Sequence, residues 1–204
     1  MGRYIVIDFE TTGLSPRIGD RAIEVAAVLV ESGRILDKFQ SLMNPAKKIP
    51  AFIESYTGIT NSMLTTAPSS SIAMAKLHRF IGKTPLIAHN ASFDKKFLEH
   101  ELKLIGKNLN QPMACSLLLA RRLYQNAPNY KLKTLVELNK IKISGNFHRA
   151  MADAEMTAQL WLKMRSDLLS NYGIEANFDL MHSLVLIPKG DISAYLLKGK
   201  QNKK

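Results

Sequence analysis

An apolar run enters two carboxylates near the start of the chain, in Tyr4-Ile5-Val6-Ile7-Asp8-Phe9-Glu10. The run reads as a buried strand. Strand side chains alternate between faces, so Val6, Asp8 and Glu10 share one side and Phe9 takes the other. Two anions on one face of a core strand repel each other and lose hydration unless cations sit between them. A fold built on this strand must therefore leave its end solvated or gather positive charge there. Thr11-Thr12-Gly13 breaks the strand and leaves the pair near an exposed edge, where oxygen ligands suit divalent metal ions.

The pattern downstream predicts an α/β domain with a mixed sheet. Ala22–Val30 and Ile35–Met43 read as two further strands, joined through Glu31-Ser32-Gly33-Arg34. Short helices are expected around Ala51–Tyr56 and Ser62–Thr65, and a longer one over Ser70–Ile81. Thr84–His89 reads as another strand, with Pro85 among its first positions. Ser92 is a candidate N-cap for a helix ending near Ile105, where Gly106 stops it. Two helices split by Asn126–Asn129 fill Ser116–Asn139, and a strong helix runs from about Arg149 to Leu169. Beyond Tyr172 a frayed, solvated tail is expected, with a short strand at Leu184–Ile187 and a helix turn at Ile192–Leu197 as alternatives. The expected division is thus a domain over 1–170 and an extension over 171–204 with a basic end.

Composition narrows the setting. The 204 residues suffice for a sizeable core. A lone cysteine, Cys115, excludes an internal disulfide and a cysteine-rich zinc site and fits a reducing cytoplasm. The best candidate for a membrane span, Ala22–Val30, is far too short and is interrupted by Glu24. The chain enters strand pattern at once, without a signal-peptide profile. A cytoplasmic protein without membrane partners is the expectation. The 28 Lys and Arg against 17 acidic residues give a net charge of +11, a field that draws in polyanions, nucleic acid first.

Further acids are placed like the first pair. Asp94 falls in the first turn of its helix and heads an apolar stripe of Phe97, Leu98 and Leu102. Asp153 repeats this with Met156, Thr157 and Leu160. The helix dipole favours one carboxylate in a first turn by about 0.3–1 kcal/mol, which does not explain why four of them border the core. His148, five residues before Asp153, is an imidazole suited to taking a proton from water. His89 precedes Asn90 at a strand end and is placed to orient the loop by hydrogen bonds. Trp161 falls on the buried side of its helix.

These segments together resemble the DnaQ-like, or DEDDh, 3′–5′ exonucleases, including the proofreading subunits of replicative DNA polymerases. Asp8-Phe9-Glu10-Thr11-Thr12-Gly13 is similar to the first family motif and His89-Asn90-Ala91-Ser92-Phe93-Asp94 to the second. His148-Arg149-Ala150-Met151-Ala152-Asp153-Ala154 is similar to the third. Leu42-Met43-Asn44-Pro45, Thr57-Gly58-Ile59-Thr60 and Leu132-Lys133-Thr134-Leu135 follow family order between them. Cys115 is followed by Ser116 where the family often has threonine, which keeps a hydroxyl.

The resemblance implies a ribonuclease H-like fold with a mixed five-stranded sheet. It implies that Asp8, Glu10, Asp94 and Asp153 hold two Mg²⁺ or Mn²⁺ ions and that His148 is the general base. It also implies that Thr11, Thr12, Gly13, Leu14, His89, Asn90 and Phe93 meet the terminal nucleotide. Arg121, Arg122, Lys131 and Lys133 are candidates to track phosphates. The expected partner is a single-stranded 3′ end, DNA before RNA, with a DNA polymerase or a second copy as further partners. An RNA-trimming enzyme of the same chemistry and a catalytically silent binding module stay open at this point.

Overall fold

Alternation along the first strand separates the two largest buried apolar clusters of the described residues. The computed structural model describes residues 2–142 and 149–201. Strand β1 (Arg3–Thr11) pairs antiparallel with β2 (Ala22–Glu31), and β2 antiparallel with β3 (Arg34–Leu42). Ser32 and Gly33 turn the β2–β3 hairpin at φ 53° and 80°, the pair of positive angles that a tight twisted hairpin demands. On the other side of β1, β4 (Leu86–Ala88) and β5 (Met113–Cys115) run parallel, giving the order β3-β2-β1-β4-β5. This is the mixed five-stranded sheet that was expected. β5 is too short for its alternation to register in the sequence.

Ile5, Ile7 and Phe9 enter one core with Met74 and Leu77 of α3 (Ser70–Ile81) and Leu98 of α4 (Ala91–Leu104). Tyr4 and Val6 enter the other with Leu160, Trp161 and Met164 of α7 (Ala150–Tyr172). Each large apolar side chain so buried contributes about 1.5–3 kcal/mol. Asp8 and Glu10 continue the α7 face of β1 past the end of that core. The β1–β2 register slips between Glu10 and Thr11, and such irregularities end strand pairing and re-aim side chains.

Helix α4 starts differently from expectation. Asn90 rather than Ser92 is its N-cap, in the left-handed region at φ 68° and ψ 47°, which Asn tolerates better than most residues. That sharp turn out of β4 brings Asp94, in the first turn of α4, against the backbone of β1. The short helices α1 (Ala51–Thr57) and α2 (Asn61–Thr66), and α5 (Ser116–Leu123) and α6 (Leu132–Leu138), lie where the pattern put them.

The expectation of a frayed tail after Tyr172 is overturned. Ile174, Phe178, Met181, Leu184, Ile192 and Leu196 are buried in the core that holds Trp161. They belong to α8 (Phe178–Ser183), a 3₁₀ turn over Leu184–Leu186 in place of a short strand, and α9 (Ile192–Gln201). Arg122, expected to track phosphates, instead donates from Nε to Ile187 O at 2.6 Å and from Nη2 to Val185 O at 2.9 Å. Among the described residues no helix is long and apolar enough to cross a membrane.

Candidate active site

Asp8 and Glu10 leave β1 on the α7 side, and the first turn of α7 supplies Asp153. One carboxylate oxygen from each of the three lies within 4.8 Å of the other two. Asp94 lines the same cleft and takes the Phe9 N–H at 3.2 Å on its Oδ1. The structure thus brings the four predicted acids into one cleft. Three converge closely, while the fourth braces the β1 backbone between the first two.

Crowding acids away from water makes their charged forms costly. Burial first, then repulsion from Asp94, Asp153, Glu10 and Glu24, holds the Asp8 carboxyl well above the usual range. Burial, followed by Asp153 and Glu24, pushes Glu10 up to about 8. Burial lifts Asp94 to about 8 against the opposing pull of its backbone hydrogen bonds and Lys96. Sites of this kind favour a divalent cation, which replaces the missing hydration and lets the carboxylates ionise together. The oxygen-only donors fit Mg²⁺ or Mn²⁺ better than a thiophilic metal.

The cleft encloses about 520 Å³. Leu14 and Phe93 line it, and so do Phe52 and Tyr56 of α1, which sequence reasoning missed. Phe52 is 65% and Tyr56 58% exposed, whereas Ile53 and Thr57 on the same helix are buried. An aromatic pair at i and i+4 on the solvent side of a short helix was the available signal. Phe93 packs on Phe97 with ring centroids 5.1 Å apart and carries Lys96 Nζ 4.7 Å from its own centroid.

Among the expected nucleotide contacts, Thr12 lies off the cleft wall and His89 is engaged by the loop. Thr12 is buried; its hydroxyl donates to Asp20 Oδ1 at 3.3 Å and accepts the Arg21 N–H at 3.1 Å. It shapes the loop rather than the cleft wall. His89 borders the cleft, but its Nε2 meets the Tyr130 carbonyl and its Nδ1 the Ser116 hydroxyl, both at 2.9 Å. A carbonyl only accepts, so Nε2 carries the proton toward Tyr130, and the Ser116 hydroxyl sits between Nδ1 and the Ala88 carbonyl, 3.3 Å away. Burial also lowers the His89 pKa, against the opposing hydrogen bond to the Tyr130 carbonyl. His89 therefore orients the loop, and the hydroxyl after Cys115 has a definite task.

Gly13 lies on the cleft, and the need for glycine there comes from Asp20. A Cβ at residue 13 would stand 2.5 Å from the Asp20 carboxylate oxygens, which also accept the Ser15 N–H at 2.9 Å. Thr11, Asn90 and Leu14 line the cleft as well. His148 lies outside the described residues.

Two buried carboxylates, also missed, tie the acid-bearing helices to β2. Glu24 accepts from Arg149 and from the Ala150 N–H at the head of α7. Glu101 of α4 accepts from Arg21 Nε and Nη2, both at 2.8 Å, and from the Ala22 N–H at 3.2 Å. Each clamp joins a two-pronged Arg to one carboxylate, a geometrically specific pairing.

A family profile described as exonuclease (RNase T) matches residues 5–161. The chain is 40% identical over 167 residues to the DNA polymerase III PolC-type protein of Caldanaerobacter subterraneus subsp. tengcongensis, covering 82% of this chain. It spans only 12% of that relative's length. It is 35% identical over 180 residues to DNA polymerase III subunit epsilon of Aquifex aeolicus, covering 88% of each. Among solved structures, exonuclease X in complex with 5′ overhanging duplex DNA superposes with a TM-score of 0.71 at 25% identity, over 91% of this chain and 99% of that one. Exonuclease I, at 19% identity and a TM-score of 0.72 over 84% of this chain and 44% of that one, shares the fold. The sheet and its helices are the ribonuclease H-like arrangement of these exonucleases.

Proposed function

Since the chain belongs to the exonuclease family, we propose that it is a metal-dependent 3′–5′ exonuclease that releases nucleoside 5′-monophosphates from single-stranded or frayed DNA. The observation that carries this reading is the convergence of Asp8, Glu10 and Asp153 within 4.8 Å. Divalent cations among these carboxylates relieve the repulsion that such crowding creates.

Asp8, Glu10, Asp94 and Asp153 would hold the ions. Divalent cations bound there would supply Lewis-acid chemistry for hydrolysis of the phosphodiester bond. Asp94 keeps the β1 backbone in place through the Phe9 N–H. His148 accepts the proton of the attacking water. Leu14, Phe52, Tyr56 and Phe93 offer the terminal base apolar faces. The domain over residues 1–170 carries the chemistry, and the described part of the extension braces it through the carbonyls of Val185 and Ile187, held by Arg122, and of Ala176, which accepts from Arg165 Nε at 2.9 Å.

The polymerase names of its relatives support association with a DNA polymerase and a cytoplasmic setting. The test is a side-by-side digest of matched single-stranded DNA, duplex DNA with a frayed 3′ end, and RNA, with Mg²⁺ or Mn²⁺. Faster release of deoxynucleoside monophosphates than of ribonucleotides supports the reading. A preference for RNA refutes the choice of DNA, and no release from any substrate refutes the activity.

A further inference from the structure

A second cleft, of about 740 Å³, opens along the outer side of α7. Its walls are α7 from Glu155 to Ser166, the edge strand β3 at Ile35 and Lys38, and residues 139–142 after α6. Four lysines line it, Lys38, Lys140, Lys142 and Lys163, against one carboxylate, Glu155. Lys38 pairs with Glu155 at 2.6 Å and Lys163 with Asp167. Lys140 and Lys142 are exposed and have no ion-pair partner among the described residues. Between these ammonium groups Ile35, Ile141 and Leu162 give partly exposed apolar surface, alongside the polar Asn139, Gln159 and Ser166.

Position gives this cleft its meaning. Glu155 and Met156 lie within one turn of Asp153 on the same helix. From there to Ser166 the cleft follows α7 for about 16 Å at the helical rise. Cations beside apolar surface match a single nucleic-acid strand, which has charge on its backbone and flat apolar faces on its bases. We propose that this cleft is a second nucleic-acid site, which takes the part of a single strand 5′ to the nucleotide being removed. The assignment rests on the exonuclease reading above. The cleft supplies affinity and takes no part in bond cleavage, so Lys140 and Lys142 affect how tightly a strand is held and leave turnover of a short substrate alone. An acidic protein segment would use the lysines without needing the apolar surface.

The experiment uses the full chain in EDTA, where no cleavage occurs. Fluorescence anisotropy follows binding of a 5′-labelled oligothymidylate of roughly twelve nucleotides, within the span of single-strand sites, across a salt series. Lys140→Glu/Lys142→Glu should weaken binding at least about tenfold and make the log–log salt slope shallower by about 1.4, the loss of two phosphate contacts. Lys140→Ala/Lys142→Ala, gentler on folding, should lose affinity in the same direction. Lys107→Glu, on the loop after α4, is the control for net charge. Hydrolysis of the p-nitrophenyl ester of thymidine 5′-monophosphate, with Mn²⁺, should match wild type in all three variants. Unchanged oligonucleotide binding in both double variants, or an equal loss in Lys107→Glu, would overturn the proposal. Failure of the wild type to cleave the ester would instead count against the exonuclease reading, and the binding titration would still decide the cleft.

Discussion

Glu24 and Arg149, 125 residues apart, meet in a two-pronged ion pair, with Nη2 2.8 Å from Oε1 and Nε 3.2 Å from Oε2. Glu24 also accepts from the Ala150 N–H and from Gln40 Nε2 and stands directly across the β1–β2 ladder from Glu10. The pair thus fixes the head of α7, and with it Asp153, against the strand beside the other acids. Arg149 is the next residue after His148.

Removing one partner should cost more than removing both. Arg149→Ala leaves a carboxylate that is 1% exposed without its cation, a loss of about 3 kcal/mol. Glu24→Gln added to Arg149→Ala should recover part of that stability, because no charge is left buried. Urea unfolding of the wild type, both single variants and the double variant measures the coupling. Strictly additive effects would contradict the clamp.

The acid cluster makes the metal-free protein sensitive to pH in an unusual direction. Glu10 and Asp94 are lifted to about 8 when folded, while an unfolded carboxylate titrates near about 4. Between those limits the folded state keeps protons that the unfolded chain has released. Stability from these groups therefore falls as pH rises from about 4 to about 8. In EDTA the melting temperature should drop from about pH 5 to pH 9. Saturating Mn²⁺, bound to the folded state, should remove the drop, and Asp94→Asn should flatten it. A melting temperature that rises over this range in EDTA would contradict the assignment.

Much of this site is legible in the sequence because its geometry is periodic. Asp8 and Glu10 share a face because strands alternate, and Asp94 and Asp153 head apolar helical stripes. Glu24 is not legible as a clamp because a lone acid in Ala22–Val30 reads only as a break in a hydrophobic run; its partner Arg149 caps a distant helix, and no local pattern records that. Phe52 and Tyr56 face a cleft formed by three other elements, so their role depends on tertiary packing. The same holds for the segment after Tyr172. Its apolar residues are spread over short helices and a turn, and α5, β5 and α7 together give them something to bury against. β5 gains its place from β4 rather than from its own three residues.

The aromatic pair on α1 should act on binding alone. Stacking a base is worth about 1–3 kcal/mol, so Phe52→Ala and Tyr56→Ala should each raise KM for single strands about tenfold, with kcat held. Both side chains are largely exposed, so unfolding midpoints should not move. A fall in kcat without a change in KM would place these residues in the chemistry instead.

His148→Ala should lower kcat by about 10²–10⁴, the usual contribution of a general base, while Mn²⁺ affinity measured by calorimetry stays at the wild-type value. Loss of Mn²⁺ binding in this variant would make His148 a ligand rather than a base.

The most direct measurement is a time course on a 5′-labelled single-stranded oligonucleotide with Mg²⁺, run for the wild type and Asp8→Ala. The wild type should shorten the strand stepwise from its 3′ end and stop on addition of EDTA, and Asp8→Ala should leave it intact. Shortening by Asp8→Ala at the wild-type rate would contradict the account.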